Sequence, residues 1–136
     1  MLMKSKKDIT VFGIPNCDTV KKARSWLLEQ NVEFIFHDFK KNGLTRNIVE
    51  NWLNHVDLNL LINRKGTTWR ALTDAQKTSC DNRDAAISLM MASPSIIKRP
   101  ILQIAGSNNS ANSESEMTDT QQVVVGFSVQ LYQPLF

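Results

Sequence analysis

The feature that most constrains the fold is a strand–helix–strand pattern near the N-terminus. Residues 9–13 (ITVFG) are a short β-branched and aromatic run typical of a buried strand, and Gly13 and Pro15 mark its end. Residues 20–30 then contain good helix formers, and residues 32–39 (VEFIFHDF) alternate like a second strand. Two strands joined through a helix predict a βαβ unit with a right-handed crossover.

The segment between these strands has an apolar face at helical spacing. Val20, Ala23 and Leu27 recur at intervals of three and four residues. Asp18 and Thr19 just before them are residue types that commonly begin a helix. We therefore expect the first helix to begin at one of these two residues.

The middle of the chain, about residues 44–97, is predicted to be a block of helices. Thr45 is placed to cap an amphipathic helix, and residues 58–62 (LNLLI) resemble a helical turn. A longer helix opens at 81–82 and is stopped by Pro94. This block would be inserted between the first two strands and those that follow.

The end of the chain predicts two more strands and a short helix. Residues 101–105 (ILQIA) and 123–127 (VVVGF) are strand-like, and residues 128–136 form the terminal helix. Between the strands, residues 106–122 are polar and lack aromatic side chains, which predicts a mobile low-complexity loop. The order β-α-β, helices, β-β-α predicts an α/β domain with a thioredoxin-like mixed sheet and an inserted helical region.

Composition agrees with a single globular domain over residues 1–136. Hydrophobic residues are 42% and charged residues 21%, a mixture too apolar for a disordered chain. No apolar run approaches the roughly 20 residues that a membrane span requires. Because no apolar segment follows the N-terminal cations, no signal peptide is visible. We expect a cytoplasmic protein that does not bind membranes.

Positive charge is confined to the first part of the chain. Every Lys and Arg lies at or before Arg99, so residues 1–99 carry +6 and residues 100–136 carry −3. A basic region of this kind can bind small anions as well as nucleic acid. Because the cations form no dense run beyond Lys4–Lys7 and have no interleaved aromatic residues, we expect no direct nucleic-acid binding.

The two cysteines, Cys17 and Cys80, cannot build a disulfide framework, and the C-x2-C pairs of a zinc site are absent, so no metal is expected. Cys17 lies between a proline-containing loop and a helix, where free N–H groups and a partial positive charge favour a thiolate. Lys21, four residues on, leans over the same helical face. We interpret Cys17 as a reactive thiol; the alternative is a small buried hydrophobic residue.

No second cysteine completes a C-x-x-C motif, because Val20 occupies that position. A reaction that oxidises Cys17 must therefore be completed by an outside thiol, glutathione being the obvious one, or by distant Cys80. Cys80 resembles an ordinary loop residue, and we interpret it as structural.

Two arginines are candidates for binding an anion beside Cys17. Arg99 precedes Pro100 at the head of a predicted strand, a position where proline can be cis. A planar guanidinium there suits an oxyanion or a carboxylate, which it binds bidentately. Arg64 lies in residues 63–72, a predicted loop, and is a further candidate. Spacing alone does not show whether either of them converges on Cys17.

Five segments are recognisable together: ITVFGIPNCDTVKKARSWL, FHDFKKNGL, LLINRKGTTWRAL, IKRPIL and VGF. They resemble the ArsC/Spx family, and most closely its YffB-like branch. The resemblance runs from Ile9 to about Tyr132, apart from residues 106–122, and implies a thioredoxin-like fold with an added helical region.

The resemblance implies a catalytic cysteine at Cys17, an anion-binding pair at Arg64 and Arg99, and a cis Pro100. In the glutaredoxin-coupled arsenate reductases of this family, the cysteine thiolate attacks arsenate and glutathione displaces oxide from the adduct. Glutaredoxin then removes the glutathione. By similarity Cys17 would be the nucleophile, and the two arginines would stabilise charge as the adduct forms.

Three features differ from the arsenate reductases. Gly13 stands where they carry a histidine, Lys21 replaces an arginine, and the segment VGFSVQLYQ offers no third arginine. We therefore expect a glutathione-dependent thiol or oxyanion reductase, with glutathione as co-substrate, glutaredoxin as a further partner and Lys21 among the anion-binding residues. The alternative is a Spx-like regulator that binds the RNA polymerase α subunit, although Spx proteins carry a C-x-x-C that this sequence lacks.

Overall fold

The computed structural model describes residues 8–105 and 120–136. Within them four strands form one sheet in the order β2-β1-β3-β4. The strands are β1 (Asp8–Gly13), β2 (Ile35–Asp38), β3 (Ile101–Ala105) and β4 (Thr120–Val125). β1 is parallel to β2 and antiparallel to β3, and β3 is antiparallel to β4. The mixed sheet confirms the predicted thioredoxin-like class.

The described residues also form eight α-helices. They are α1 (Asp18–Glu29), α2 (Phe39–Asn42), α3 (Arg46–Leu53), α4 (Leu58–Leu61), α5 (Thr67–Arg70), α6 (Asp74–Ser79), α7 (Arg83–Ala92) and α8 (Val129–Tyr132). Short 3₁₀ turns occupy Pro94–Ile96 and Gln133–Leu135. Helices α3 to α7 lie between β2 and β3, in the region expected to be helical. Along the described stretches, no helix has the length and apolar character needed to span a bilayer.

α1 packs on the sheet through the apolar face that the sequence predicts, because Val20, Ala23 and Leu27 are buried. Its C-terminus is closed by two backbone hydrogen bonds: Val32 N–H to Leu27 O at 3.0 Å and Asn31 N–H to Leu28 O at 3.1 Å. This pattern requires a left-handed residue, and Asn31 has φ 59°. The turn directs the chain back into β2.

β2 is shorter than predicted. Strand geometry covers Ile35–Asp38 rather than residues 32–39. The Asp38 side chain accepts hydrogen bonds from the N–H groups of Lys40 and Lys41 at 2.9 and 3.3 Å, which begins α2 at Phe39. A capping side chain thus ends the strand earlier than the alternation of apolar residues indicates.

The segment 63–72 is not entirely a loop, and one helix was not predicted. α5 (Thr67–Arg70) lies within 63–72. α6 starts at a capping box in which Thr73 and Gln76 exchange side-chain and backbone hydrogen bonds. The T-x-x-Q signal for α6 is present in the sequence, but few apolar residues follow it, and none of the helix is buried.

The predicted loop 106–122 ends earlier than expected. Thr120–Gln122 belong to β4, where Gln122 pairs with Ile104 of β3. Backbone pairing with β3 suffices to hold these residues, so polar side chains do not prevent the strand from forming at the sheet edge. Residues 106–119 lie outside the described part of the chain, as do the lysines of Lys4–Lys7.

Two apolar cores lie on opposite faces of the sheet, since alternate residues of a strand face opposite ways. Phe12 and Ile101 join the core that includes the helical region, with Trp52 at its centre. Val11 and Leu102 join the core under α1 and the C-terminal turn. The two central strands, β1 and β3, are therefore covered on both sides.

Candidate functional site

Cys17 is the N-cap residue of α1. Its N–H donates to Ile14 O at 3.2 Å, and its carbonyl accepts from Lys21 N–H at 2.9 Å. The helix begins at Asp18, as predicted, but neither Asp18 nor Thr19 is its N-cap. Asp18 instead lies in the first turn, where a negative charge favours the helix dipole.

The Cys17 thiol is partly exposed and electrostatically favoured as a thiolate. Partial burial by itself raises its pKa, because it disfavours the charged form. The N–H group of Val20, the Arg99 guanidinium and the N–H group of Thr19 interact with the sulfur and outweigh that effect. The net result is a Cys17 pKa below its ordinary value.

Arg99 is brought to Cys17 by the turn that precedes β3. Its Nη1 donates to the carbonyl oxygens of Ser95 at 3.0 Å and Ile97 at 3.3 Å. Its Nε is buried and has no hydrogen-bond partner among the described residues. The guanidinium is thus held on one side and keeps donor capacity on the other. The Arg99–Pro100 peptide bond is cis.

The helical region holds this turn in place. Lys98 N–H donates to Leu61 O at 2.8 Å, and Asn63 N–H donates to Ile96 O at 2.7 Å. Ile62 and Ile97 form an isolated antiparallel bridge between the same two segments. The α4 end and the turn before β3 therefore move as one unit, which fixes the backbone that carries Arg99.

Arg64 makes different contacts. Its Nη2 donates to Asn59 Oδ1 at 3.0 Å, and its guanidinium carbon lies 5.0 Å from the ring centroid of Trp69. The charge of Arg64 acts on Cys80, whose pKa it tends to lower. In the part of the chain that the structure describes, Arg99 rather than Arg64 is the arginine that interacts with Cys17.

Lys21 touches Cys17 through its backbone and not through its charge. The exposed side chain lines a groove that also includes Trp26 and Phe127. Lys21 therefore lies one helical turn from Cys17, at the end of the groove nearer the thiol.

Cys80 lies in the turn between α6 and α7, as the sequence indicated, and its side chain belongs to the core. It is 3% exposed, ends α6, and directs its Sγ at Gln76 O, 3.9 Å away. Burial raises the pKa of the Cys80 thiol, with Arg64 opposing and Asp81 adding to that effect. The interpretation of Cys80 as structural agrees with this position.

The two histidines contact backbone carbonyls: His37 Nε2 lies 2.6 Å from Gly43 O, and His55 Nδ1 lies 3.2 Å from Asn51 O. Among the residues the structure covers, no group of three or more His, Cys, Asp or Glu side chains could hold a metal ion.

Two features of the site carry no clear signal in the sequence. The carbonyl oxygens of Ser95 and Ile97 orient Arg99, and any residue type supplies a carbonyl. Gly13 lies against α1 so closely that a Cβ on it would be 2.7 Å from Val20 Cγ2. A glycine next to a proline loop predicts a turn equally well, so the close packing is visible only in three dimensions.

Sequence and structure comparisons find proteins that are similar to this chain. A model of the ArsC family matches residues 12–133. An uncharacterized protein of Haemophilus influenzae is 36% identical over 128 residues, which cover 94% of this chain and 98% of that protein. The global transcriptional regulator Spx of Streptococcus pneumoniae is 31% identical over 101 residues, which cover 69% of this chain and 71% of the regulator.

Solved structures agree with these matches. A YffB protein superposes with a TM-score of 0.71 at 36% identity and covers 93% of this chain and 96% of its own. An arsenate reductase (ArsC) related protein from Brucella melitensis superposes with a TM-score of 0.63 at 35% identity, covering 93% of this chain and 92% of its own. Both share the fold over nearly the whole chain.

Proposed function

We propose a function for this chain, which belongs to the ArsC family. It is a glutathione-dependent thiol or oxyanion reductase in which Cys17 is the single nucleophile. The observation that carries the proposal is the Cys17 thiol at the start of α1, with its pKa lowered beside Arg99. A thiolate at neutral pH is the species that attacks sulfur or an oxyanion.

The reaction on a disulfide takes two exchanges. The Cys17 thiolate attacks one sulfur of the substrate disulfide, a new S–S bond forms, and the other sulfur leaves as a thiolate. Glutathione thiolate then attacks the sulfur bound to Cys17, which releases Cys17 and carries the substrate fragment away as a mixed disulfide. Glutaredoxin is the proposed partner that recycles glutathione adducts, and the cytoplasm is the compartment where these thiols stay reduced.

Arg99 is the proposed anion-binding group. Its Nη1 is held by two carbonyl oxygens and its guanidinium also interacts with the Cys17 sulfur, so an oxyanion or carboxylate bound to Arg99 would lie beside the thiol. Arg64 is proposed as a second anion-binding residue, which requires its exposed guanidinium to exchange Asn59 for the anion. Lys21 adds positive charge at the rim of the site.

A disulfide substrate is favoured over arsenate. The position of Gly13, where the arsenate reductases carry a histidine, faces Val20 at a distance that leaves no room for a side chain. No arginine follows β4, so the third anion contact of those enzymes is missing from the sequence. Arsenate is best tested as a competitor of the disulfide reaction.

The test is mass spectrometry of the full chain after incubation with oxidised glutathione. We expect one glutathione per chain, mapped to Cys17 and removed by glutaredoxin, and no adduct on the Cys17→Ser variant. The Cys80→Ser variant serves as the matched control and should form the adduct normally. Absence of an adduct from the wild-type chain, or an adduct on Cys80, would overturn the proposal.

A second candidate function is transcriptional regulation, which the similarity to Spx favours. In that case the chain would bind the RNA polymerase α subunit without catalysis. The test is a pull-down with purified α subunit. Binding that is unchanged in Cys17→Ser, together with no glutathione adduct in the wild type, would favour the regulator.

A further inference from the structure

A groove runs along α1 on the side away from the sheet. Its walls are α1 and the segment between β4 and α8, and its volume is about 360 Å³, within the range of ligand sites. The residues that matter for its chemistry are Lys21, Lys22, Trp26, Glu29, Phe127 and Val129.

Both walls of the groove lead directly to the thiol site. On α1, the N–H of Lys21 donates to the Cys17 carbonyl at 2.9 Å. On the opposite wall, the N–H of Gly126 donates to the Pro100 carbonyl at 2.8 Å, next to Arg99. The end of the groove that holds Lys21 therefore lies about one helical turn from Cys17.

The lining of the groove suits a peptide better than a small oxyanion. Trp26 and Phe127 are half-buried, with ring centroids 6.4 Å apart, and form an apolar floor. Val129 at the lip is 45% exposed. An oxyanion gains nothing from such a surface, whereas apolar side chains of a peptide would bury it.

Charge along the groove is uneven. The cations of the groove, Lys21 and Lys22, lie at its end nearer Cys17, and Arg99 lies beside the thiol itself. Glu29 lies seven residues beyond Lys22 on the helix, which is roughly 10 Å along its axis. A ligand complementary to this pattern has negative charge close to its reactive sulfur and neutral or positive charge further away.

We propose that this groove binds the segment of a protein substrate that carries the disulfide attacked by Cys17, with acidic residues next to the substrate cysteine. The inference rests on the proposed reductase function and names its substrate class. The Cys17 thiolate attacks the sulfur of the bound segment's cysteine, a Cys17–substrate disulfide forms, and the other sulfur of the original disulfide leaves as a thiolate.

The experiment uses two synthetic peptides that each carry one cysteine blocked as a disulfide with thionitrobenzoate. They differ only in having glutamates or lysines beside the cysteine. Release of the coloured thionitrobenzoate gives the rate constant for the full-length chain. We expect the acidic peptide to react about tenfold faster at low ionic strength, with the ratio falling towards one at high salt.

Two variants with matched controls test the groove itself. Lys22→Glu should remove most of the preference for the acidic peptide, whereas Lys77→Glu on α6, with the same change of net charge, should keep it. Val129→Ser should slow both peptides several-fold, whereas Leu60→Ser, at a leucine on α4 that is 53% exposed against 45% for Val129, should not. Lys22 is used because Lys21 lies closer to Cys17.

A small neutral disulfide, dithiodipyridine, separates the two proposals. If Cys17 does not react with it, the reductase function fails. If Cys17 reacts with it but Lys22→Glu and Lys77→Glu show the same preference for the acidic peptide, only the groove proposal is overturned. The groove proposal is also overturned if Lys22→Glu slows the reaction with oxidised glutathione as much as the reaction with the acidic peptide, because that result would indicate a site for the tripeptide glutathione. It is overturned as well if Val129→Ser converts a dimer to a monomer, because that result would indicate that a second copy of this chain occupies the groove.

Discussion

At Cys17 two opposing effects set the state of the thiol. Burial favours the neutral thiol, while two helix N–H groups and the Arg99 guanidinium favour the thiolate, and the second effect is larger. Only the thiolate reacts, so the rate of alkylation measures the balance directly. Because Arg99 is the cation in this set, its removal is the most informative change at the scale of one residue.

We predict that Arg99→Gln raises the pKa of Cys17 and that Arg64→Gln leaves it in place. The iodoacetamide reaction of the wild type should level off at high pH and fall about tenfold per pH unit below an inflection under the ordinary value of about 8.5. Arg99→Gln should move that inflection to higher pH. Equal inflections in the wild type and Arg99→Gln would contradict the role of the guanidinium.

Cys80 should be unreactive in the folded chain, because its thiol is buried and burial raises its pKa. We predict that iodoacetamide at neutral pH modifies Cys17 alone, and that Cys80 is modified only after unfolding in urea. Peptide mapping by mass spectrometry distinguishes the two sites. Modification of native Cys80 at a rate near that of Cys17 would argue against its structural role and restore it as a resolving thiol.

At the scale of elements, the position of α1 depends on its contact with β1. Gly13 at the end of β1 faces Val20 in the first turn of α1, and the two are too close for any added carbon atom. Val20 is buried and β-branched, so it has little freedom to turn away. The start of α1, where Cys17 lies, is therefore set by a glycine–valine contact.

We predict that Gly13→Ala lowers the free energy of unfolding by about 1–3 kcal/mol, as overpacking of a dense core does. Val20→Ala removes the methyl groups that clash, so the double variant should lose less than the two single variants combined. Urea unfolding of all four proteins measures the coupling. Strict additivity, or a Gly13→Ala variant as stable as the wild type, would show that α1 shifts without cost.

At the scale of the whole molecule, the sheet separates two cores of different character. The larger one joins the helical region to the sheet and includes a buried polar contact, Asn51 Nδ2 to Gln103 Oε1 at 3.3 Å. The smaller one lies under α1 and is closed by the C-terminal Tyr132, which is fully buried. The Tyr132 hydroxyl has no hydrogen-bond partner among the residues described.

We predict that Tyr132→Phe is neutral or slightly stabilising at pH 7, because it removes a buried hydroxyl that gains no hydrogen bond. Burial raises the pKa of Tyr132 above its ordinary value of about 10. The protonated tyrosine therefore contributes fully to stability below about pH 10 and loses that contribution as pH rises above it.

Urea unfolding at pH 7 and pH 11 should thus show a larger loss of stability for the wild type than for Tyr132→Phe. The difference between the two proteins cancels the titration of lysines. Tyr132 is the only tyrosine in the sequence, so an alkaline absorbance titration reports its pKa alone. An ordinary pKa, or equal alkaline losses in both proteins, would contradict the burial of this side chain.

Local patterns accounted for much of the fold. The short β-branched and apolar runs at residues 9–13 and 101–105 and the apolar stripe of α1 predicted their elements, because strand-forming side chains and the helical period are local properties of the sequence. The prediction of β2 was too long at both ends. The Asp38 cap ends the strand one residue early, and residues 32–34 still connect the turn at Asn31 to the strand. α6 was missed because an exposed helix has no apolar stripe to reveal it.

For the site, the sequence by itself determined that a cysteine stands where a loop meets a helix, since neighbouring residues decide where a helix begins. Only the tertiary structure decided which cation faces that sulfur. Cys17 and Arg99 are about 80 residues apart, and they meet because β1 pairs with β3 while the α4 segment holds the turn before β3. Arg64, equally basic in the sequence, is held by Asn59 and Trp69 instead. Contacts at that separation depend on the packing of whole elements, which no local pattern encodes.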